Sequence, residues 1–497
     1  MRRLALLACL LPLLGVGAEI RLPFYFGNHM TMQRERAVPV KGTVVGNHTG
    51  TVMVSMGRQH VKARVDGDGH FRAVLKPMKA GGPYTLRVSS DQEQVVLQDV
   101  VVGDVWVCSG QSNMAFELAQ AQPQPTAESL EVSGLRLLMM RPSCLTSHVA
   151  WEPTVLEALN EGHYWLPSQW EVSREETAQG FSAVGYLFGQ QLQEELGIPI
   201  GLICNAVGGA PTESYVDSLS LQREMPAIYE DFDTNEQIQD WVRYRAGKNI
   251  ERSSDRAQQW HPYKPTCLYT QGVAPLGDFP VKGVVWYQGE SNAHDVEGHE
   301  VLMRSLVASW RQTWEDPTLP FYFVQLSSIG RPTWPAFRHS QRMLSEELTH
   351  TGMAVSSDWG DSLDVHPRNK RPVGERLARL ALHRTYGRDI EDQGPTPRRA
   401  TSVKGLPSAR VVVSYDHAEG LRTADGKEAL TFELADTGTP FYPATAVVDS
   451  EAGTVTLSCK ELRQARYFRY GWQPYTRANL INAEGLPAST WMGLVEE

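Results

Sequence analysis

Gly103-Asp-Val-Trp-Val-Cys108-Ser-Gly110-Gln-Ser112-Asn-Met114 decides the fold. The run Val101–Cys108 reads as an apolar strand, Gly110 permits a tight exit, and Ser112 is placed to open a helix. A serine there exposes its Oγ, and its own backbone N–H faces the oxyanion that develops in acyl transfer. The G-x-S-x-G elbow is absent, because Met114 stands where the last glycine belongs. A loop serine that merely caps a helix is the plainer alternative.

Outward from this stretch, further strands are predicted at Leu135–Met140, Gly201–Cys204, Val281–Tyr287, Phe321–Leu326 and Met353–Ser357. Between them, Phe181, Val184, Phe188, Leu192 and Leu196 keep helical spacing until Gly197 and Pro199, and Val301–Trp314, Met343–Leu348 and Val373–Tyr386 read likewise. Strands alternating with helices imply a parallel sheet in a three-layer α/β/α core over residues 101–395, with 205–280 as a helical insertion. Short alternating runs broken by Gly and Asp turns predict β-sandwich-like domains over 19–100 and 396–497. The Pro-rich stretch 395–408 reads as a linker.

The chain has 497 residues, 41% hydrophobic and 21% charged, which suits two or three globular domains and excludes global disorder. A net charge of −10 with no basic stripe argues against nucleic acid as a partner. Arg2-Arg3 before the apolar run 4–17, closing on Val16-Gly17-Ala18, reads as a secretory signal peptide over 1–18. A secreted or lysosomal address is therefore expected, and no later apolar stretch offers a membrane span. Cys108, Cys144, Cys204, Cys267 and Cys459 follow the leader, an odd count that leaves at least one thiol without an intramolecular partner. Cys108 and Cys204 read as buried thiols, and Cys144 with Cys267 as a candidate pair. Asn47-His48-Thr49 is a glycosylation sequon in a eukaryotic secretory route.

Chemistry is sought after each strand, where open α/β sheets collect ligands. Trp286-Tyr-Gln288-Gly-Glu290-Ser291-Asn292 nearly repeats the first block, so on pattern alone Ser112 and Ser291 are rival nucleophiles. Gly208-Gly209 suits an oxyanion donor or simply a tight turn. Asp361-Ser-Leu-Asp364-Val-His366 has the parts of a base and its orienter. His294, Asp295, Glu297 and His299 form a rival metal cluster without helical ligand spacing, so no metal is expected.

At GDVWVCSGQSNM, GGAPTESY, VVWYQGESN and DVHPRNK the chain resembles the sialate O-acetylesterases, serine esterases of the SGNH (GDSL-like) fold. MTMQRERAVPVKG and ANLINAEGLPAS resemble the family as well. The resemblance implies an SGNH core, Ser112 as nucleophile and His366 as general base, with no metal or organic cofactor. It implies an oxyanion hole of the Ser112 N–H, Gly208 or Gly209, and the Gln288 amide in place of the superfamily's Asn. Asp364 is the expected carboxylate partner, although it stands two rather than three residues before His366. Asp361, Glu290 or a backbone carbonyl are the alternatives.

The expected substrate is O-acetylated sialic acid, free or on glycoconjugates, with the 9-position favoured. Arg338, which resembles a recurrent family arginine, is the candidate for its carboxylate, with Glu290 a second substrate contact. Trp286, Trp334 and Trp359 are candidate sugar-stacking rings. Another carbohydrate acetyl esterase, such as one for acetyl-xylan, and a non-catalytic sugar-binding protein are the competing readings.

Overall fold

The computed structural model describes residues 19–46 and 50–496. The leader-like residues 1–18 and the sequon at Asn47 lie outside them.

Seven strands build the central sheet: β1 (Gln94–Gly110), β2 (Leu135–Met139), β3 (Trp170–Val172), β4 (Ile200–Cys204), β5 (Gly283–Tyr287), β6 (Phe321–Val324) and β7 (Thr351–Ala354). They lie in the order β3-β2-β4-β1-β5-β6-β7, and all neighbours are parallel except the edge pair β2–β3. All six predicted strands are therefore present. Their continuous apolar character follows from burial on both faces, because helices cover each side. Helices α1 (Ala183–Leu196) and α4 (Arg371–Arg384) pack on the face carrying Trp106, Cys108 and Leu202. Helix α2 (Val296–Thr313) packs on the face carrying Val105, Val107 and Trp286, and α3 (Trp334–Glu347) follows β6. Gly197 ends α1 in the left-handed conformation, as its position after Leu196 predicts.

β1 has 17 residues. Its first half pairs with Gly81–Ser89 of the N-terminal sheets, and its second half pairs with β4 and β5. Gln33 locks the crossover: its amide donates to Asp104 at 2.7 Å and accepts from the Val105 N–H at 2.9 Å. The N-terminal strands and one face of the central sheet consequently share a single apolar core.

Short helices at Ser218–Glu224, Pro226–Glu230 and Asp240–Asn249 occupy the stretch between β4 and β5. The C-terminal region forms two four-stranded sheets and one two-stranded sheet around its own core. Here the linker reading is corrected: Thr396–Ser402 is a strand paired with Ala409–Asp416. Its one proline, Pro397, is tolerated because the strand lies at the edge of its sheet and its register shifts between Pro397 and Arg399. The five cysteines among the described residues are all free, so Cys144 and Cys267 do not pair. Among the described residues, no helix is long and apolar enough to cross a membrane.

Candidate active site

The central strand β1 ends at Gly110, where φ is +132° and a Cβ would stand 2.2 Å from the Tyr287 carbonyl oxygen. Only glycine lets the chain turn there. The next residues form the short helix Ser112–Ala115, whose N-cap Gln111 makes no capping side-chain bond. The Ser112 N–H therefore lies in the first turn, without an intrahelical acceptor. Its Oγ is 2.8 Å from His366 Nε2, so loops after β1 and β7 bring together a hydroxyl and a base.

Beyond β4, residues 207–210 form a tight turn closed by the Ala210 N–H on the Val207 carbonyl at 3.1 Å. Gly209 sits at φ +75°, the position that demands glycine. Both glycine carbonyls are held: the Tyr263 hydroxyl donates to Gly208 at 2.8 Å, and the Ser291 hydroxyl donates to Gly209 at 3.0 Å. A Cβ on Gly208 would lie 3.8 Å from Ser112 Cβ, which places this turn against the serine. Ser291, the rival nucleophile, is buried and committed to the turn.

A cleft of about 1120 Å³ opens over the pair. Ser112, His366, Gly208, Gly209 and Glu290 line it, with Trp241 and three arginines, Arg141, Arg245 and Arg331.

Two expectations are corrected. Gln288 does not reach the cleft as a donor: its NH₂ donates to Asn292 Oδ1 at 2.7 Å and to the Ala210 carbonyl at 3.3 Å, while its oxygen accepts from Thr212 at 2.6 Å. Both donor hydrogens are thus used to brace the glycine turn from behind. Arg338 does not face the cleft either. Its fully buried guanidinium donates to Thr490 Oγ1 and to the carbonyls of Gly471, Gln473 and Pro474 at 2.7–3.0 Å, tying α3 to the C-terminal region.

Around His366 the acids divide their roles. Asp364 Oδ1 accepts the His366 backbone N–H at 2.8 Å and stands 3.8 Å from Nδ1, beyond hydrogen-bond reach. Asp361 accepts the N–H groups of Leu363 and Asp364, shaping the loop. Glu290 accepts from the Asn113 amide rather than from His366, and its second oxygen is buried without a partner. Asn113 also donates to the Val365 carbonyl at 3.0 Å and accepts from Lys370, so it bridges a buried cation and a buried carboxylate beneath the histidine. Burial pushes Glu290 upward and Lys370 down to about 7. His366 lies below its ordinary value, chiefly through burial and then through Lys370 and Arg331, against the pull of Asp364.

Of the tryptophans, Trp286 and Trp334 are core residues and Trp359 stands outside the cleft lining. The tryptophan that lines the cleft is Trp241, whose helix gave no chemical signal in the sequence. The cluster suggested for metal has structural work: Asp295 caps α2 on the Gly298 N–H at 2.9 Å, and burial holds His299 neutral, pushing it down to about 3.

Residues 244–383 match the family model described as carbohydrate esterase, sialic acid-specific acetylesterase. A solved carbohydrate acetylesterase from Xanthomonas citri is 30% identical, with a TM-score of 0.78 over 96% of this chain and 99% of that one. Sialate O-acetylesterases of Mus musculus and Pongo abelii are 28% and 26% identical, covering 85% and 97% of this chain and 83% and 94% of theirs. The chain belongs to the carbohydrate esterase family of sialic acid-specific acetylesterases.

Proposed function

We propose that the protein hydrolyses O-acetyl esters of sialic acids, the 9-O-acetyl ester foremost, through an acetyl-Ser112 intermediate. The observation that carries this reading is the 2.8 Å contact of Ser112 Oγ with His366 Nε2 on the floor of an open cleft. His366 takes the serine proton as Oγ attacks the acetyl carbonyl, and returns it to the departing sugar oxygen. Water then attacks the acyl-enzyme with His366 again as base. The N–H groups of Ser112, Gly208 and Gly209 are the candidate oxyanion donors, since the turn's carbonyls are held elsewhere. The assignment of the core to the SGNH class rests on its six parallel strands and on loops from β1, β4 and β7 supplying these groups. The leader-like run before Glu19 supports export, which N-terminal sequencing of the mature protein tests.

Ser112→Ala should lower kcat on O-acetylated sialic acid by about 10⁵–10⁶-fold. Retained turnover in that variant would refute the mechanism, and a wild-type preference for acetyl-xylan would refute the substrate.

A further inference from the structure

Three guanidinium groups line the cleft, and they are differently engaged. Arg141 donates to the Gly180 carbonyl at 3.0 Å and pairs with Glu117 at 3.4 Å. Arg245 lies over the Trp241 ring and reaches the Tyr263 hydroxyl at 3.5 Å, on the side of the glycine turn. Arg331 is exposed, and no carboxylate among the described residues pairs with it. It is held in place nonetheless. Its guanidinium carbon lies 5.0 Å from the centroid of the buried Trp334 ring, and the Trp334 N–H donates back to its carbonyl.

The loop that carries Arg331 is fastened to the loop that carries His366. The Gly330 N–H donates to the Ser362 carbonyl at 3.2 Å. At Gly360 the fit is so close that a Cβ would meet the Ser328 carbonyl oxygen at 2.1 Å. The cation is therefore fixed on the histidine side of the cleft, near enough to hold His366 and Glu290 below the values they would otherwise have. That side is the one the chemistry needs. His366 must protonate the leaving oxygen, so the sugar attached to that oxygen extends past the imidazole, away from the glycine turn.

We propose that Arg331 is the specificity residue of this site, receiving the C1 carboxylate of the sialic acid whose acetyl ester reaches Ser112. The inference rests on the proposed function and adds the contact that distinguishes an acidic sugar from a neutral one. An arginine offers paired donors to a carboxylate, and a charge-assisted pair of this kind is commonly worth about 10- to 100-fold in binding.

The test compares 9-O-acetyl-N-acetylneuraminic acid with its C1 methyl ester, each turnover normalised to the same preparation's turnover of 4-nitrophenyl acetate. Wild type should favour the free acid by at least about 10-fold in kcat/KM. Arg331→Gln should bring the two substrates within about 2-fold through a rise in KM for the acid alone, and Arg331→Lys should restore part of the preference. An unchanged preference in Arg331→Gln, or its loss in Arg245→Gln instead, overturns the assignment. Wild type that cleaves 4-nitrophenyl acetate but neither sialic substrate overturns the proposed function, and this inference with it.

Discussion

Asp364 holds the backbone N–H of His366 at 2.8 Å, while the same carboxylate oxygen remains 3.8 Å from the ring's Nδ1. The acid thus shapes the loop that presents the imidazole and does not grip the ring. Its side chain is 55% exposed, so water screens its charge as well. Asp364→Asn, which keeps an acceptor for the backbone, should lower kcat/KM by less than about 10-fold, far from the roughly 10⁴-fold loss of a buried triad aspartate. Steady-state kinetics on the acetyl ester measures this. A loss approaching 10³-fold would mean that the carboxylate closes on Nδ1 during turnover.

After burial, Lys370 is the largest influence on the acidic edge of activity. Its ammonium, buried beside Asn113 and drawn down to about 7 by burial, is charged over the range in which His366 titrates. A nearby cation disfavours imidazolium, so the acid limb of kcat/KM should fall below the ordinary histidine value of 6.5. Lys370→Met should move that limb to higher pH, and an unmoved limb would show that the lysine does not act on the histidine.

Gly209 and Gly208 should respond differently to alanine. At Gly209 a Cβ would meet the Tyr263 hydroxyl at 2.3 Å, and the backbone φ of +75° is strained for any side chain. Gly209→Ala should therefore displace the turn and lower kcat by about 10²-fold or more. Gly208→Ala, whose Cβ would meet only Ser112 Cβ at 3.8 Å, should lower it far less. Equal losses would argue against this geometry.

Arg338→Met should appear in stability and not in substrate preference. It strips donors from three backbone carbonyls and Thr490 in a buried seam, which should destabilise the protein by about 3 kcal/mol or more. Calorimetry should show the loss as a lowered Tm, with the preference for acid over methyl ester retained. A selective rise in KM for the acid would return Arg338 to the binding site.

Glu213 lies behind the glycine turn, accepting from Asn292 at 2.9 Å, and burial raises it to about 7. The folded protein then keeps a proton that the unfolded chain releases near 4.5, so stability falls as pH rises from about 4.5 to 7. The drop amounts to about 3 kcal/mol. Glu213→Gln should flatten the stability profile over that window in denaturant titrations at several pH values.

The sheet was legible because six apolar runs of strand length alternate with helical periodicity, a pattern that burial on both faces imposes directly. Ser112, Gly208, Gly209 and His366 stood out as candidates because each follows a strand at the same sheet edge, and the choice of Ser112 over Ser291 came from the family resemblance. Gln288 and Arg338 were misread for a common reason. A residue type declares what donors it has, whereas only three-dimensional packing declares which acceptors take them. Lys370 and Asn113 stood in quoted motifs but looked like ordinary loop polarity, since nothing in one sequence marks a lysine as buried. Trp241 belongs to the stretch read only as a helical insertion and Arg331 to a segment without strand or helix signals, and their approach to the cleft depends on long-range chain return. Thr396–Ser402 escaped because proline content signals a linker unless the segment is known to be an edge strand.

The unbroken strand from Gln94 to Gly110 has a consequence for ancestry and engineering. A module can be transplanted between proteins only where the chain can be cut without severing hydrogen-bonded backbone. Here any cut between the first sheets and the nucleophile falls inside a paired strand, so the N-terminal sheets should be inherited with the catalytic core. The C-terminal sheets, entered through an edge strand and built on their own core, are the portion open to exchange.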